Sequence, residues 1–126
     1  ASAGRPAGYS DARWGEDLWP RLGCSACHAG QEPSPIAPPL TRIWGSTRTL
    51  GDGSTLTTEG DEGHRYLRES VTAPNAQLVE GFSPTMPVYD LPEAQLVALA
   101  AYMRCAAPNG CAQRPECQGL ALCRAP

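Results

Sequence analysis

Apolar residues recur at helical spacing near the start of the chain. Trp14, Leu18 and Leu22 lie four residues apart, the interval that brings side chains onto one face of a helix. Asp11 precedes them and can accept hydrogen bonds from first-turn amides, as N-cap residues do. The pattern therefore predicts an amphipathic helix over residues 11–22 that begins at an Asp11 cap.

Two more helices are predicted further along the chain. Residues 61–72 begin with acidic side chains, which favour the positive end of a helix dipole. The third helix has the clearest pattern, because it follows a proline start in Asp90-Leu-Pro-Glu and carries an i, i+3, i+4, i+7 stripe of Leu96, Leu99, Ala100 and Met103. These three segments account for most of the regular structure that the sequence predicts.

Glycine and proline dominate the stretches between the helices. The chain has 13 of each among 126 residues, and such a composition predicts long loops around a single modest core. Residues 48–58 are the exception, since two short Thr- and Leu-containing runs flank a Gly-Asp-Gly turn and predict a small hairpin. The expected fold class is therefore all-α, with three main helices, long loops and one short β-hairpin. A large buried cofactor would supply the apolar bulk that this chain lacks.

Charge and hydropathy narrow the range of partners. The formal net charge of −3 argues against nucleic acid as a partner. The longest apolar run, residues 96–103, is far too short to span a membrane, and no signal-peptide pattern is present. We therefore expect a monomer whose membrane association, if any, occurs through a partner or a removed anchor.

The sequence Cys24-Ser-Ala-Cys27-His28 concentrates candidate chemistry in five residues. A thioredoxin-like dithiol would need a βαβ setting, whereas a helix and a proline-rich loop flank this motif. A zinc site would need a fourth ligand. Cys-x-x-Cys-His is also the attachment sequence of one c-type haem, in which both thiols form thioethers and the histidine binds the iron. Covalent haem attachment agrees best with the composition.

An electron-carrying haem needs a second axial ligand, for which the chain offers three candidates. Met103 lies on the apolar stripe of the third helix, where a core methionine is the simpler interpretation. His64 stands among charged residues near the start of the second helix, which indicates a solvated side chain, with bis-His ligation as the alternative. Met86 lies in Gly81-Phe-Ser-Pro-Thr-Met-Pro87, between two prolines. We therefore favour Met86 as the sixth ligand.

Several short blocks follow one another in a fixed order around these residues. They are Cys24-x-x-Cys27-His28, Pro39-Leu40-x-x-Ile43-Trp44-Gly45, the hairpin, Tyr66-Leu67-Arg-Glu-Ser70, Pro74-Asn-Ala76, Gly81-Phe82-x-Pro-x-Met86-Pro87 and Leu96-x-x-Leu99-x-x-Tyr102. Their order and spacing over residues 11–104 resemble a class I cytochrome c. The resemblance is closest to the cytochrome c domain fused to subunit II of caa3-type cytochrome oxidases.

The resemblance implies the class I cytochrome c fold with one covalently bound haem c. It implies Cys24 and Cys27 as attachment residues and His28 and Met86 as axial ligands. Trp44 matches a position that often faces a haem propionate. The expected residues of the haem pocket are Pro39, Leu40, Ile43, Trp44, Tyr66, Leu67, Val71 and Phe82.

The expected function is single-electron transport rather than catalysis, in the periplasm or another extracytoplasmic space. The expected partners are redox proteins, namely a terminal oxidase or another respiratory complex. The alternative is a haem enzyme or a gas sensor, in which the sixth ligand is labile or absent.

Four cysteines stand apart in a C-terminal tail, residues 105–126, whereas residues 1–10 form a flexible N-terminal segment in our division of the chain. The tail cysteines recur every six residues, at Cys105, Cys111, Cys117 and Cys123. An even set in a small domain favours two structural disulfides and an oxidising compartment. Three pairings remain open, and the alternative is a metal site or a regulatory dithiol, without the Cys-x-x-Cys spacing that such sites use.

Overall fold

Three long helices, one single-turn helix and a two-stranded hairpin form most of the regular structure in the computed structural model, which describes residues 4–26, 28, 38–73 and 89–124. The helices are α1 (Asp11–Arg21), α2 (Gly60–Thr72), α3 (Glu93–Ala106) and the one-turn α4 (Gly110–Gln113). The strands are β1 (Thr47–Thr49) and β2 (Thr55–Thr57), and short 3₁₀ turns occupy Cys24–Ala26, Leu40–Arg42, Pro115–Cys117 and Ala121–Cys123. The predicted mostly helical class with one small hairpin is therefore confirmed.

The start of α1 lies one residue away from the predicted cap. Ser10, in extended backbone conformation, accepts a hydrogen bond from the Arg13 amide at 3.1 Å through its hydroxyl. Asp11 is instead the first helical residue, and its carboxylate pairs with Arg5 at 2.7 Å. The prediction of Asp11 as the cap was wrong because Arg5 holds that carboxylate and the neighbouring serine supplies the acceptor.

α1 and α3 cross at backbone contact. A Cβ atom on Gly15 would lie 2.2 Å from the Ala98 carbonyl oxygen and 2.7 Å from the Tyr102 Cβ, so only glycine allows this approach. One turn further along α1, the ring of Trp19 lies 5.8 Å from that of Tyr102 in a tilted arrangement. This crossing lies within the hydrophobic core.

The hairpin is tied to the turn that precedes it. Thr47 pairs with Thr57 and Thr49 with Thr55 in antiparallel register. Beyond β2, the fully buried hydroxyl of Thr58 hydrogen-bonds the carbonyls of Ile43 and Ser46. The hairpin therefore holds the 3₁₀ turn Leu40–Arg42 and the residues after it in place.

The C-terminal tail folds back onto α1 and α3. Disulfides join Cys105 to Cys117 and Cys111 to Cys123, which confirms the two predicted disulfides and resolves their pairing. Leu120 is buried in the same core as the main helices.

α2 packs against α3 on the other side of that helix from α1. Its exposed edge carries an ion pair between Arg68 and Glu93. Next to this pair runs a groove between the two helices, whose apolar lining includes Leu67, Val71, Leu99 and Met103. No helix among the described residues is long and apolar enough to cross a membrane.

Candidate functional site

The candidate site begins where α1 ends. Gly23 adopts a left-handed conformation, with φ of +87°, and turns the chain into the 3₁₀ turn Cys24–Ala26. The His28 amide then donates to the Cys24 carbonyl at 3.0 Å. This i to i+4 bond closes one turn and brings positions 24 and 28 to the same side of it.

Cys24 is a free, half-buried thiol in this turn. Burial raises the pKa of the thiol, so it is protonated and not a reactive thiolate at neutral pH. Such a thiol differs from the low-pKa nucleophile of a redox dithiol, which the sequence left as one alternative. Cys27, the other predicted attachment residue, lies outside the described residues.

His28 is oriented by one hydrogen bond. Its Nδ1 lies 2.7 Å from the Pro38 carbonyl oxygen, which can only accept, so Nδ1 carries the proton and Nε2 keeps its lone pair. Burial lowers the pKa of the imidazole, which favours this neutral form. This is the tautomer in which Nε2 of a histidine can bind a metal.

A buried arginine, which the sequence analysis missed, lies beside this histidine. Arg48 donates to the carbonyls of Arg42 at 2.7 Å and Ile43 at 3.0 Å, and its Cζ lies 5.6 Å from the centre of the Tyr66 ring. Its charge further lowers the pKa of His28. Among the described residues, no carboxylate lies within 4 Å of Arg48.

The alternation of β1 could have revealed Arg48. The two threonines of Thr47-Arg48-Thr49 are exposed and the central arginine is buried, as the period of a strand requires when one face is covered. The residue type concealed this, because arginine is almost never buried without partners. Here the partners are carbonyl groups of the preceding turn.

Most of the predicted pocket residues are buried. The structure describes seven of them, and all seven are buried: Pro39, Leu40, Ile43, Trp44, Tyr66, Leu67 and Val71. Leu67 and Val71 line the groove between α2 and α3. Phe82 and Met86 lie outside the described residues, so the predicted sixth ligand stays a prediction.

His64 is not the solvated side chain that its charged neighbours in the sequence predicted. Its ring packs edge-on against Trp44, with 5.3 Å between ring centres, and its Nε2 lies 3.1 Å from Nη1 of Arg104. Arg104 also lies over Trp44, with its Cζ 5.3 Å from the ring centre. Since guanidinium only donates, Nε2 of His64 is the acceptor, and its lone pair is engaged.

The other candidate ligand, Met103, is buried in the core on α3, as the sequence indicated. No group of three or more His, Cys, Asp or Glu side chains among the described residues could hold a metal ion. A haem iron is compatible with this, because its porphyrin supplies four nitrogen ligands and the protein only the axial ones.

Comparison with known proteins does not identify a relative. No protein-family model matches the chain, and no curated protein matches it. The functional assignment therefore depends on the chemistry of the residues described above.

Proposed function

We propose that this chain is an extracytoplasmic c-type cytochrome that carries single electrons through one covalently attached haem. The observation that carries the proposal is the turn from Cys24 to His28. It presents a protonated thiol and an imidazole whose Nε2 makes no hydrogen bond to the described part of the chain, both on one side of a single turn. These are the groups that haem attachment and proximal ligation require.

The residues of this turn have distinct roles in the proposal. Haem c, when bound, supplies an iron that alternates between the ferrous and ferric states. Cys24 and Cys27 hold the cofactor through thioethers, so that it is retained by a small domain. His28 binds through Nε2, and the hydrogen bond to Pro38 fixes its ring and tautomer.

Met86 is the proposed second axial ligand, and the chain after it is anchored beside the site. The Tyr89 hydroxyl donates to the Leu22 carbonyl at 2.8 Å, two residues before Cys24. Only Pro87 and Val88 lie between Met86 and Tyr89, and three residue steps span at most about 11 Å. This anchor supports Met86 over Met103, which is buried in the core, and over His64, whose Nε2 is engaged.

The surroundings of His28 favour electron transfer with a high reduction potential. Leu40 and Ile43, which follow Pro38 in the chain, are buried apolar side chains, and an apolar setting disfavours the more highly charged state of a bound iron. The buried positive charge of Arg48 acts on His28 and favours the less positive oxidation state of a metal bound there. Thioether ligation at Met86 acts in the same direction.

The proposed compartment is based on the disulfides of the tail, and the proposed partner on the net charge of the chain. Two disulfides are consistent with an oxidising, extracytoplasmic location. With a net charge of −3, we propose that the chain docks briefly with a redox protein of the respiratory chain through a basic patch on that partner.

The test is to produce the protein together with a c-type haem attachment system and to measure its mass and absorption spectra. We expect one covalently bound haem, a near-infrared methionine-to-iron band in the ferric state, and no carbon monoxide binding in the ferrous state. Met86→Ala should abolish the band and open the iron to carbon monoxide, whereas the matched variant Met103→Leu should change neither. Failure to attach haem would overturn the proposal. Carbon monoxide binding by the unmodified protein would favour the haem enzyme or gas sensor instead.

A further inference from the structure

The C-terminal tail makes a continuous set of contacts with α1 and α3. We refer to residues 110–124 as the tail clip. Its turn Pro115–Cys117 contacts α1, and its turn Ala121–Cys123 contacts α3. Cys117 is completely buried and Leu120 is only 1 % exposed, so the clip contributes to the core and does not lie loosely on its surface.

The clip is attached covalently to one helix and by a hydrogen bond to the other. Cys105 belongs to the last turns of α3, and its disulfide reaches Cys117 in the turn that contacts α1. The backbone amide of Ala121 donates to the Glu16 carboxylate of α1 at 2.7 Å. The second disulfide, from Cys111 to Cys123, closes the clip on itself.

None of these contacts uses a residue of the candidate site. The crossing of α1 and α3 is completed by Gly15, Ala98 and the Trp19–Tyr102 pair, and the clip then covers it from the side. Cys24 and His28 follow the end of α1, and one contact joins this turn to the crossing, because the rings of Trp19 and His28 lie 6.0 Å apart. The helix pair and its clip are therefore packed together by contacts that the polypeptide makes by itself.

We propose that the tail clip is a disulfide-locked device that holds α1 and α3 together in the absence of haem. It keeps the Cys24–His28 turn at the end of a folded helix before any cofactor is attached. Reduction by a dithiol, which supplies two electrons and two protons for each disulfide and is itself oxidised to a disulfide, releases the clip and loosens both helices together. The reference to haem rests on the proposed function, whereas the locking of α1 to α3 depends only on contacts within the chain.

The experiment uses the full-length chain with Cys24→Ser and Cys27→Ser, so that no haem is attached and only the tail cysteines remain. Hydrogen exchange of α1 and α3 is followed by mass spectrometry with the disulfides intact and after reduction and alkylation. With intact disulfides, both helices should exchange far more slowly than an unfolded chain. Reduction should accelerate exchange in both by at least about tenfold.

Matched variants separate the clip's packing from its covalent bonds. Leu120→Ala keeps both disulfides and should accelerate exchange in α1 and α3, whereas Leu122→Ala, at a side chain that is 37 % exposed on the same segment, should not. Cys105→Ala with Cys117→Ala should reproduce the effect of reduction without an alkylating group in the core. Exchange of α1 and α3 at unfolded-chain rates with both disulfides intact, or equal rates before and after reduction, would overturn the proposal. Neither result depends on whether the wild-type chain binds haem.

Discussion

The two sides of α3 are packed in different ways. Towards α1, the helices touch at Gly15 without an intervening side chain, and the tail clip bonds to both helices. Towards α2, an exposed ion pair links α3 to its neighbour, and a groove with apolar lining residues runs between the two helices. The comparison indicates that the stability of the chain is concentrated at the α1–α3 crossing, away from the groove that two proposed haem-pocket residues line.

Adding one methyl group at the crossing should have the largest effect on stability. Gly15→Ala would place its Cβ against the Ala98 backbone, which cannot move as a side chain can, so the helices must separate. We expect the free energy of unfolding to fall by about 3 kcal/mol, measured by urea denaturation of the full chain. Ala100→Leu, which adds bulk beside the groove, should cost less than half as much. Equal costs would contradict the difference between the two sides.

Removing the disulfides one at a time should have an effect of similar size. Each bond closes a loop of 12 residues in sequence separation, and constraint of such a loop in the unfolded chain contributes about 3 kcal/mol. Replacing Cys105 and Cys117 by alanine should cost more than replacing Cys111 and Cys123, because the first pair is fully buried and leaves a cavity. Thermal unfolding of the two double variants tests this order. The reverse order would show that the Cys111–Cys123 disulfide contributes most to the stability of the clip.

The helices and the hairpin were predictable because their signals are local. The stripe on α3 and the Gly-Asp-Gly turn determine element type whatever surrounds them. The cap of α1 was missed by one residue because Ser10 and Asp11 are both good caps, and the choice depends on Arg5, which the pattern does not place next to them. The disulfide pairing likewise required knowledge of how the tail returns to α1.

In the candidate site, too, the features that depend on local sequence were predictable and those that depend on distant contacts were not. The attachment motif and His28 were predictable because their chemistry depends on sequence spacing, and the structure adds the Pro38 hydrogen bond that fixes the tautomer. The burial of Arg48 was indicated only by the alternation of β1, and the environment of His64 was not predictable. A buried arginine depends on carbonyl groups from another turn, and His64 is covered by Trp44 and by an arginine 40 residues further along the chain.

The contact between α2 and the end of α3 should respond to acid. Burial and the charges of Arg104 and Arg68 lower the pKa of His64 in the folded chain, whereas the unfolded side chain titrates near 6.5. A histidine whose folded pKa is lowered contributes its full stabilisation above the unfolded pKa and loses it as the pH falls through the folded pKa. The melting temperature should therefore fall between pH 7.5 and 5 by a smaller amount in His64→Gln than in the wild type. The pKa of His28 is lowered in the same direction. Both proteins are therefore compared without haem, so that His28 contributes equally to the two. An identical pH dependence in the two would contradict this role for His64.

The ion pair between α2 and α3 should have the smallest effect. Arg68 and Glu93 are both largely exposed, so water solvates each charge well in either state and the pair gains little from their attraction. We expect Arg68→Gln, Glu93→Gln and the double variant to unfold at the same urea concentration as the wild type within experimental error, at low and at high salt. Glu69→Gln, one residue along α2, is the matched control for loss of one charge. The contrary result is a large coupling free energy between Arg68 and Glu93 that disappears with added salt. It would mean that charge, and not apolar packing, holds α2 against α3. In that case both sides of α3 would be held by specific bonds, and the difference between them would lie only in which kind of bond each side uses.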